Sequence, residues 1–235
     1  MIPTVTLITA TGARPEAFTL CERWMRRQTY QGYIQWIVVD DGPEATVSSL
    51  GQIVMRPLPH WKPGRVTLPR NILEALPLAE AEKILFIEDD DYYAPGYVET
   101  MVARLELSDL VGELDSHYYH VGTRMWRNCK NRGHGSLFQV GIRRGLIPKL
   151  QAFCKEASYF LDLGLFGAVR SRKLFPASTL SLGMKGMPGR QGIGIGHNTV
   201  RSRLWNPDPD LTWLTERIGA DVEFYKPYLG RNNGS

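Results

Sequence analysis

The residues best suited to chemistry stand together: Glu88-Asp89-Asp90-Asp91 follow directly on the apolar run Ile84-Leu85-Phe86-Ile87, with Tyr92, Tyr93 and Pro95 just beyond. Four adjacent carboxylates repel one another, so at the mouth of a hydrophobic strand they call for a cation or strong hydrogen-bond donors. Their hard oxygens suit Mn²⁺ or Mg²⁺, which keep several waters and reach a protein through one or two carboxylates while substrate phosphates take other positions. The stretch therefore points to a metal-bridged diphosphate. The competing reading is an acidic, solvated turn ahead of a helix, where Asp and Glu are favoured.

A second chemical feature is the charge of the later chain. From Arg124 to Trp205 there are fifteen Lys and Arg against Glu156 and Asp162, although the net charge of the whole chain is only +4. A basic half of this kind, gathered on one face, attracts the phosphates of a nucleotide or of a nucleic-acid backbone. Within it, Lys185 and Arg190 precede Gly192-Ile193-Gly194-Ile195-Gly196-His197, a glycine-spaced stretch able to close over a diphosphate. It is not a dinucleotide fingerprint, because the third glycine and the strand-helix context are missing. His117, His120 and His134 fall among Tyr118, Tyr119, Trp126 and Arg127, which suits an acceptor site or a core better than zinc.

Positioning these groups requires a sheet. Val5 to Thr11 and Ile34 to Val39 read as strands, the first ending in small residues and the second in Asp40-Asp41-Gly42. Between them, Phe18, Leu20, Cys21, Trp24 and Met25 recur at helical spacing behind Pro15. Strand, helix and parallel strand make a right-handed unit whose ligand crevice lies at the carboxyl ends of the strands. Thr9 to Thr11, Asp40 and the acidic run all fall at such ends. A short strand is expected near Ile53 to Met55, a helix behind Pro69, and another begun by Pro95 that carries Tyr97, Val98, Met101, Val102 and Leu105.

The 235 residues, 43% hydrophobic and 22% charged, suit one large globular domain rather than a disordered chain. Cys21, Cys129 and Cys154 are too few and scattered for a disulfide framework, which indicates a reducing compartment. No window reaches the roughly 18 apolar residues of a membrane span and no signal segment opens the chain, so a cytoplasmic protein is expected.

Four blocks in order, Val5 to Thr11, Ile37 to Gly42, Arg65 to Asn71 and Ile84 to Pro95, resemble the nucleotide-binding half of GT-A glycosyltransferases, especially the large inverting family related to polysaccharide synthases. The resemblance implies an α/β fold with a mostly parallel, Rossmann-like central sheet and helices on both faces. It also implies one domain, with residues 1–105 as the nucleotide-sugar half, 106–229 as the acceptor and catalytic half and 230–235 as a flexible tail. Thr9, Ala10, Thr11 and Asp40 would hold the nucleotide base and ribose. Arg65 or Arg70 would reach the nucleotide or its phosphates, Asp89 the ribose and Asp90 the metal; Arg190 is expected at the diphosphate from its own place ahead of the glycine-spaced stretch. His197 matches a late histidine that completes the metal site in several such enzymes. Glu88 departs from the pattern, standing where many members have Asp. Tyr159 to Phe166 resembles the block that carries the family's base, which makes Asp162 the catalytic base; Leu161 replaces the preceding glutamate. As nearly the only acid among many cations, Asp162 is expected to be held ionised by its neighbours.

The implied activity is metal-dependent, inverting transfer from a nucleotide-diphosphate sugar, a UDP-sugar first, to a hydroxyl. Relatives of this compact kind include phage enzymes that modify hydroxymethylated pyrimidines of DNA. Arg124, Arg127, Lys130 and Arg132 beside Tyr118, Tyr119 and Trp126 fit such an acceptor; a saccharide or glycolipid precursor is the alternative. A nucleotidyltransferase or a non-catalytic nucleic-acid-binding module are the readings of other classes. The first lacks a glycine-rich, lysine-ended loop after the first strand, and the second leaves the acidic strand end without purpose.

Overall fold

A computed structural model describes residues 2–156, 160–192 and 204–230. His197, the rest of the glycine-spaced stretch from 193 to 203, and 231–235 of the tail lie outside the described residues.

The chain opens with strand β1 (Val5–Thr11), helix α1 (Pro15–Arg26), β2 (Ile34–Asp40), β3 (Ile53–Met55) and α2 (Leu68–Ala75). It continues through β4 (Lys83–Phe86), β5 (Tyr92–Tyr93), α3 (Tyr97–Arg104) and β6 (Leu110–Glu113). The hairpin β7 (His117–His120) and β8 (Met125–Asn128) comes next, then β9 (Gly141–Arg143), α4 (Ile147–Lys155) and α5 (Leu161–Ala168). The last elements are β10 (Arg172–Phe175), β11 (Ser181–Lys185), β12 (Asn206–Pro207) and α6 (Thr212–Ile218).

The central sheet has the order β10-β6-β9-β4-β1-β2-β3. β1 lies between β2 and β4, parallel to both, with Ile8 opposite Ile37 and Phe86. Only β9 runs against its neighbours. Both faces of the sheet are covered, as the unbroken apolar composition of its middle strands requires. Val5, Leu7, Val38 and Leu85 pack with Phe18, Trp24, Val98 and Met101 of α1 and α3. Ile8, Ile37, Val39 and Ile84 pack on the other face with Ile72, Leu150 and Leu165 of α2, α4 and α5. Among the described residues, no helix is long and apolar enough to cross a membrane.

A second sheet, β12-β8-β7-β11-β5, stands at the carboxyl edge of the first. The periodicity of the sequence does not announce it. The residues after the acidic run were expected to lead straight into a helix begun by Pro95. Instead Tyr92 and Tyr93 pair with Leu182 and Ser181 of β11, and the helix begins at Tyr97. Ring packing explains the difference: Tyr92 meets Trp24 edge-on at 5.0 Å and Tyr93 meets Tyr97 at 4.7 Å, so both tyrosines are buried in the core. By pairing with β5 and β7, β11 brings Lys185 to the acidic run.

Candidate functional site

A cavity of about 810 Å³ opens where β1 and β4 end and the second sheet begins. Ala10, Thr11, Arg65, Glu88, Asp89, Asp90, Asp162, Lys185 and Arg190 all contribute to its wall. Residues far apart in sequence meet here because the parallel strands end on one edge.

The acidic run is held by two buried cations. Arg14 donates to Asp89 Oδ1 at 2.7 Å and lies 3.5 Å from Asp90 Oδ2, while Thr11 Oγ1 donates to the other Asp89 oxygen at 2.7 Å. The Lys185 ammonium lies 3.3 Å from Asp91 Oδ1 and 3.7 Å from Asp90 Oδ2, and the Met184 N–H donates to Asp91 Oδ1 at 2.7 Å. Burial alone would lower both cations, but the carboxylates win and hold each above its ordinary value. Burial pushes Glu88 up to about 7, against the pull of Lys185 and with the help of Asp90. It also pushes Asp91 well above the usual carboxylate range.

These residues fit a divalent cation. Fully ionised, the four carboxylates would carry two more charges than Arg14 and Lys185 supply, and burial together with that mutual repulsion raises Glu88 and Asp91; a divalent ion would remove the excess. One oxygen each from Glu88, Asp90 and Asp91 lie within 4.8 Å of one another, and the buried Asp91 Oδ2 has no hydrogen-bond partner among the described residues. All three ligand types are hard oxygens of the kind Mg²⁺ and Mn²⁺ prefer.

On the β1–β2 side, the tight approach of two loops builds the wall. Gly12 has φ +150°, and a Cβ there would meet Asp41 Oδ1 at 2.3 Å and the Gly42 nitrogen at 2.6 Å. Gly12→Ala is therefore expected to destabilise the fold by about 1–3 kcal/mol, read as a lowered denaturant midpoint at unchanged slope. Asp41, fully buried, accepts from Arg190 at 2.7 Å, Asn71 at 2.9 Å and Arg70 at 3.1 Å. Arg190 also stacks over Trp61 with 4.7 Å to the ring centre, and its carbonyl accepts from Arg14 Nε at 2.6 Å.

Three of the residues expected at the nucleotide lie behind the wall rather than in it. Thr9 is fully buried and accepts from Trp36 Nε1 at 2.9 Å. Asp40 takes the backbone N–H groups of Gly42 at 2.9 Å and Thr46 at 2.7 Å, with Arg56 Nε at 3.3 Å, and so pins the turn after β2. Arg70 is spent on Asp41, Asn71 and the Pro59 carbonyl, and borders a separate cavity of about 470 Å³.

Tyr118, Cys129, Asn131, His134 and Asp162 line the same cavity. Asp162 sits in the first turn of α5, where its Oδ1 accepts the Leu163 N–H at 2.9 Å. Its pKa is raised by burial, with His134 pulling the other way. Among the described residues, no lysine or arginine is one of the groups acting on it, in contrast to the expected pull of surrounding cations. The cations are occupied elsewhere: Arg143 faces Glu82, Glu106 and Asp109, while Arg144, Lys149 and Arg172 donate to backbone carbonyls.

Arg14, Asp41, Trp61 and Asn131 were not singled out from the sequence. Asp41 could have been, because an Asp-Asp-Gly turn offers two aspartates and only one can cap the turn. Arg14 carries no signal beyond lying between a strand end and Pro15. His117 and His120 belong to the second sheet's packing, His117 beside Trp213 and His120 beside Trp205.

No family model matches the chain, and no curated protein matches it. Among solved structures, TarS of S. aureus is 14% identical over 77% of this chain and 36% of its own, with a TM-score of 0.51. Its fragment 1–349 is 13% identical over 76% of this chain and 60% of its own, also at 0.51. That fragment has been solved in complex with UDP and with UDP-GlcNAc. At this identity the likeness is one of fold, and the chain spans only part of the length of either.

Proposed function

We propose that the chain is a metal-dependent, inverting glycosyltransferase that moves a sugar from a nucleotide-diphosphate sugar to a hydroxyl acceptor. The observation that carries this reading is one cavity that holds both the carboxylates paired with Arg14 and Lys185 and the separate carboxylate of Asp162. TarS, of like fold, is a protein that holds UDP and UDP-GlcNAc, which agrees with a UDP-sugar donor.

Ala10, Thr11 and Asp89 border the pocket for the nucleoside, and Arg65 and Arg190 the side on which phosphates are held. Glu88, Asp90 and Asp91 are the groups that would hold Mn²⁺ or Mg²⁺; when bound, such an ion offsets the charge of the departing diphosphate. Asp162 accepts the proton of the attacking hydroxyl as the bond to the sugar breaks. Its helix-end position fixes the carboxylate, and burial makes it a stronger base than a solvated aspartate. Thr9, Asp40 and Arg70 act from behind, keeping the loops that form the wall in register.

Incubation with nucleotide sugars and Mn²⁺ in the absence of acceptor tests the reaction class. Slow release of free sugar and nucleoside diphosphate is expected. Pyrophosphate release from a nucleoside triphosphate would instead indicate a nucleotidyltransferase.

For the acceptor, we infer a hydroxymethylated pyrimidine in DNA. Lys130 and Arg132 flank Asn131 of the cavity wall and Arg127 stands two residues before Cys129; Arg124, further along the hairpin, donates to the Pro209 carbonyl, and Arg132 lies 3.4 Å from Asp115. Duplex affinity is then expected to fall linearly with salt on logarithmic axes, with a slope of about 0.9 per phosphate neutralised. Gel shifts across salt, with mass spectrometry of hydroxymethylated DNA after incubation with donor, check binding and chemistry together. Salt-insensitive binding and no added hexose mass would favour a saccharide or glycolipid acceptor.

A further inference from the structure

Lys185 is not explained by packing. Its side chain is 3% exposed, it arrives at the end of β11, and it lines the cavity between Tyr118 and the acidic run. The ammonium has three N–H donors. Asp91 Oδ1 and Asp90 Oδ2 lie within salt-bridge distance on one side, and the Tyr118 ring lies below it with 5.2 Å to the ring centre. Tyr118 is itself fixed, because its hydroxyl donates to Ser136 Oγ at 2.8 Å. A cation held this firmly in the wall of the cavity is placed for an anion. It also neighbours two of the three carboxylates that could take a divalent cation.

We propose that Lys185 is a built-in second cation of the donor site: it binds the diphosphate of the nucleotide directly and repels, at Asp90 and Asp91, the divalent ion that shares the site. The inference rests on the donor reading above. It requires opposite responses from the two ligands. Removing the ammonium takes away a phosphate contact and so weakens the nucleotide. The same change takes away a like charge beside the carboxylates and so strengthens the ion. A lysine that only propped up the fold would change both in the same direction.

Lys185→Met separates the cases, with UDP and Mn²⁺ as the probes. Calorimetry in the presence of chelator is expected to show UDP bound about tenfold more weakly than by the unaltered chain, the scale of one charge-assisted contact. Electron paramagnetic resonance without nucleotide is expected to show Mn²⁺ bound about tenfold more tightly. Lys185→Arg, which keeps the charge, is expected to leave Mn²⁺ affinity within about twofold of the unaltered protein. If the methionine variant does not fold, Lys185→Gln takes its place with the same expected signs. Loss of both affinities, or no change in either, would overturn the proposal. An unaltered chain that binds no UDP even with Mn²⁺ would sink the donor reading instead, and tighter Mn²⁺ binding by the variant would then stand as repulsion alone.

Discussion

Asp162→Asn is expected to lower turnover by about 10² or more while leaving donor affinity almost unchanged, because the amide keeps the shape of the carboxylate and cannot take a proton. The amide can still accept the Leu163 N–H, so α5 keeps its start and the loss is one of chemistry. The pH profile offers an independent check. Burial raises the pKa of Asp162, so the ionised base is lost on acidification earlier than for a solvated aspartate. The acidic limb of kcat/KM therefore lies above the ordinary aspartate value and disappears in the variant. Normal turnover in Asp162→Asn would move the base elsewhere. Asp208 is a poor substitute, since its two oxygens accept the N–H groups of Trp213 at 3.0 Å and Leu214 at 3.1 Å. His134, lining the same cavity and electrostatically linked to Asp162, would be the next to test.

Chelation is expected to weaken nucleoside-diphosphate binding by about tenfold or more, and Asp90→Ala to abolish the difference between chelated and Mn²⁺-loaded protein. The same substitution should not lower the melting temperature in chelator. Burial is the main cause that raises Glu88, Asp89 and Asp91, and Asp90 adds to it as a like charge in a site with more carboxylates than cations. Removing it relieves repulsion even though Arg14 and Lys185 each lose a partner. Calorimetry and thermal denaturation, each with and without Mn²⁺, measure the two effects. An unchanged nucleotide affinity in all four states would return the acidic run to a solvated turn of no catalytic use.

The central sheet was legible because its signals are local. β1, β2 and β4 are short apolar runs closed by polar punctuation, and Pro15 and Pro69 fall in the first turns of α1 and α2. The second sheet was not, since its strands are two to five residues long and its pairing is set by contacts between distant segments. The same limit applies to the site. The acidic run stands out as composition, whereas Arg14 could be assigned to it only once β1 was seen beside β4, and Lys185 only once β11 was seen against β5. Charge counting misled for a related reason. A basic stretch says how many cations there are, but Arg143 and Arg172 are spent on partners outside the cavity.

The long-range grip of Arg14 and Lys185 also dictates an order of assembly. Arg14 reaches Asp89 across 75 positions and the Arg190 carbonyl across 176, and Lys185 reaches Asp91 across 94. Contacts of such separation form late, since loop-closure entropy is lost before they give anything back. During synthesis Arg14 is already present when the acidic run emerges, but Lys185 follows much later, so Asp91 and the Lys185 side of Asp90 must stay hydrated until β11 docks. A ribosome-bound chain ending before β11 would thus carry a formed β1–β2–β4 sheet with an open, water-filled acidic edge. Competence to bind the donor would appear in one step, when β11 closes that edge.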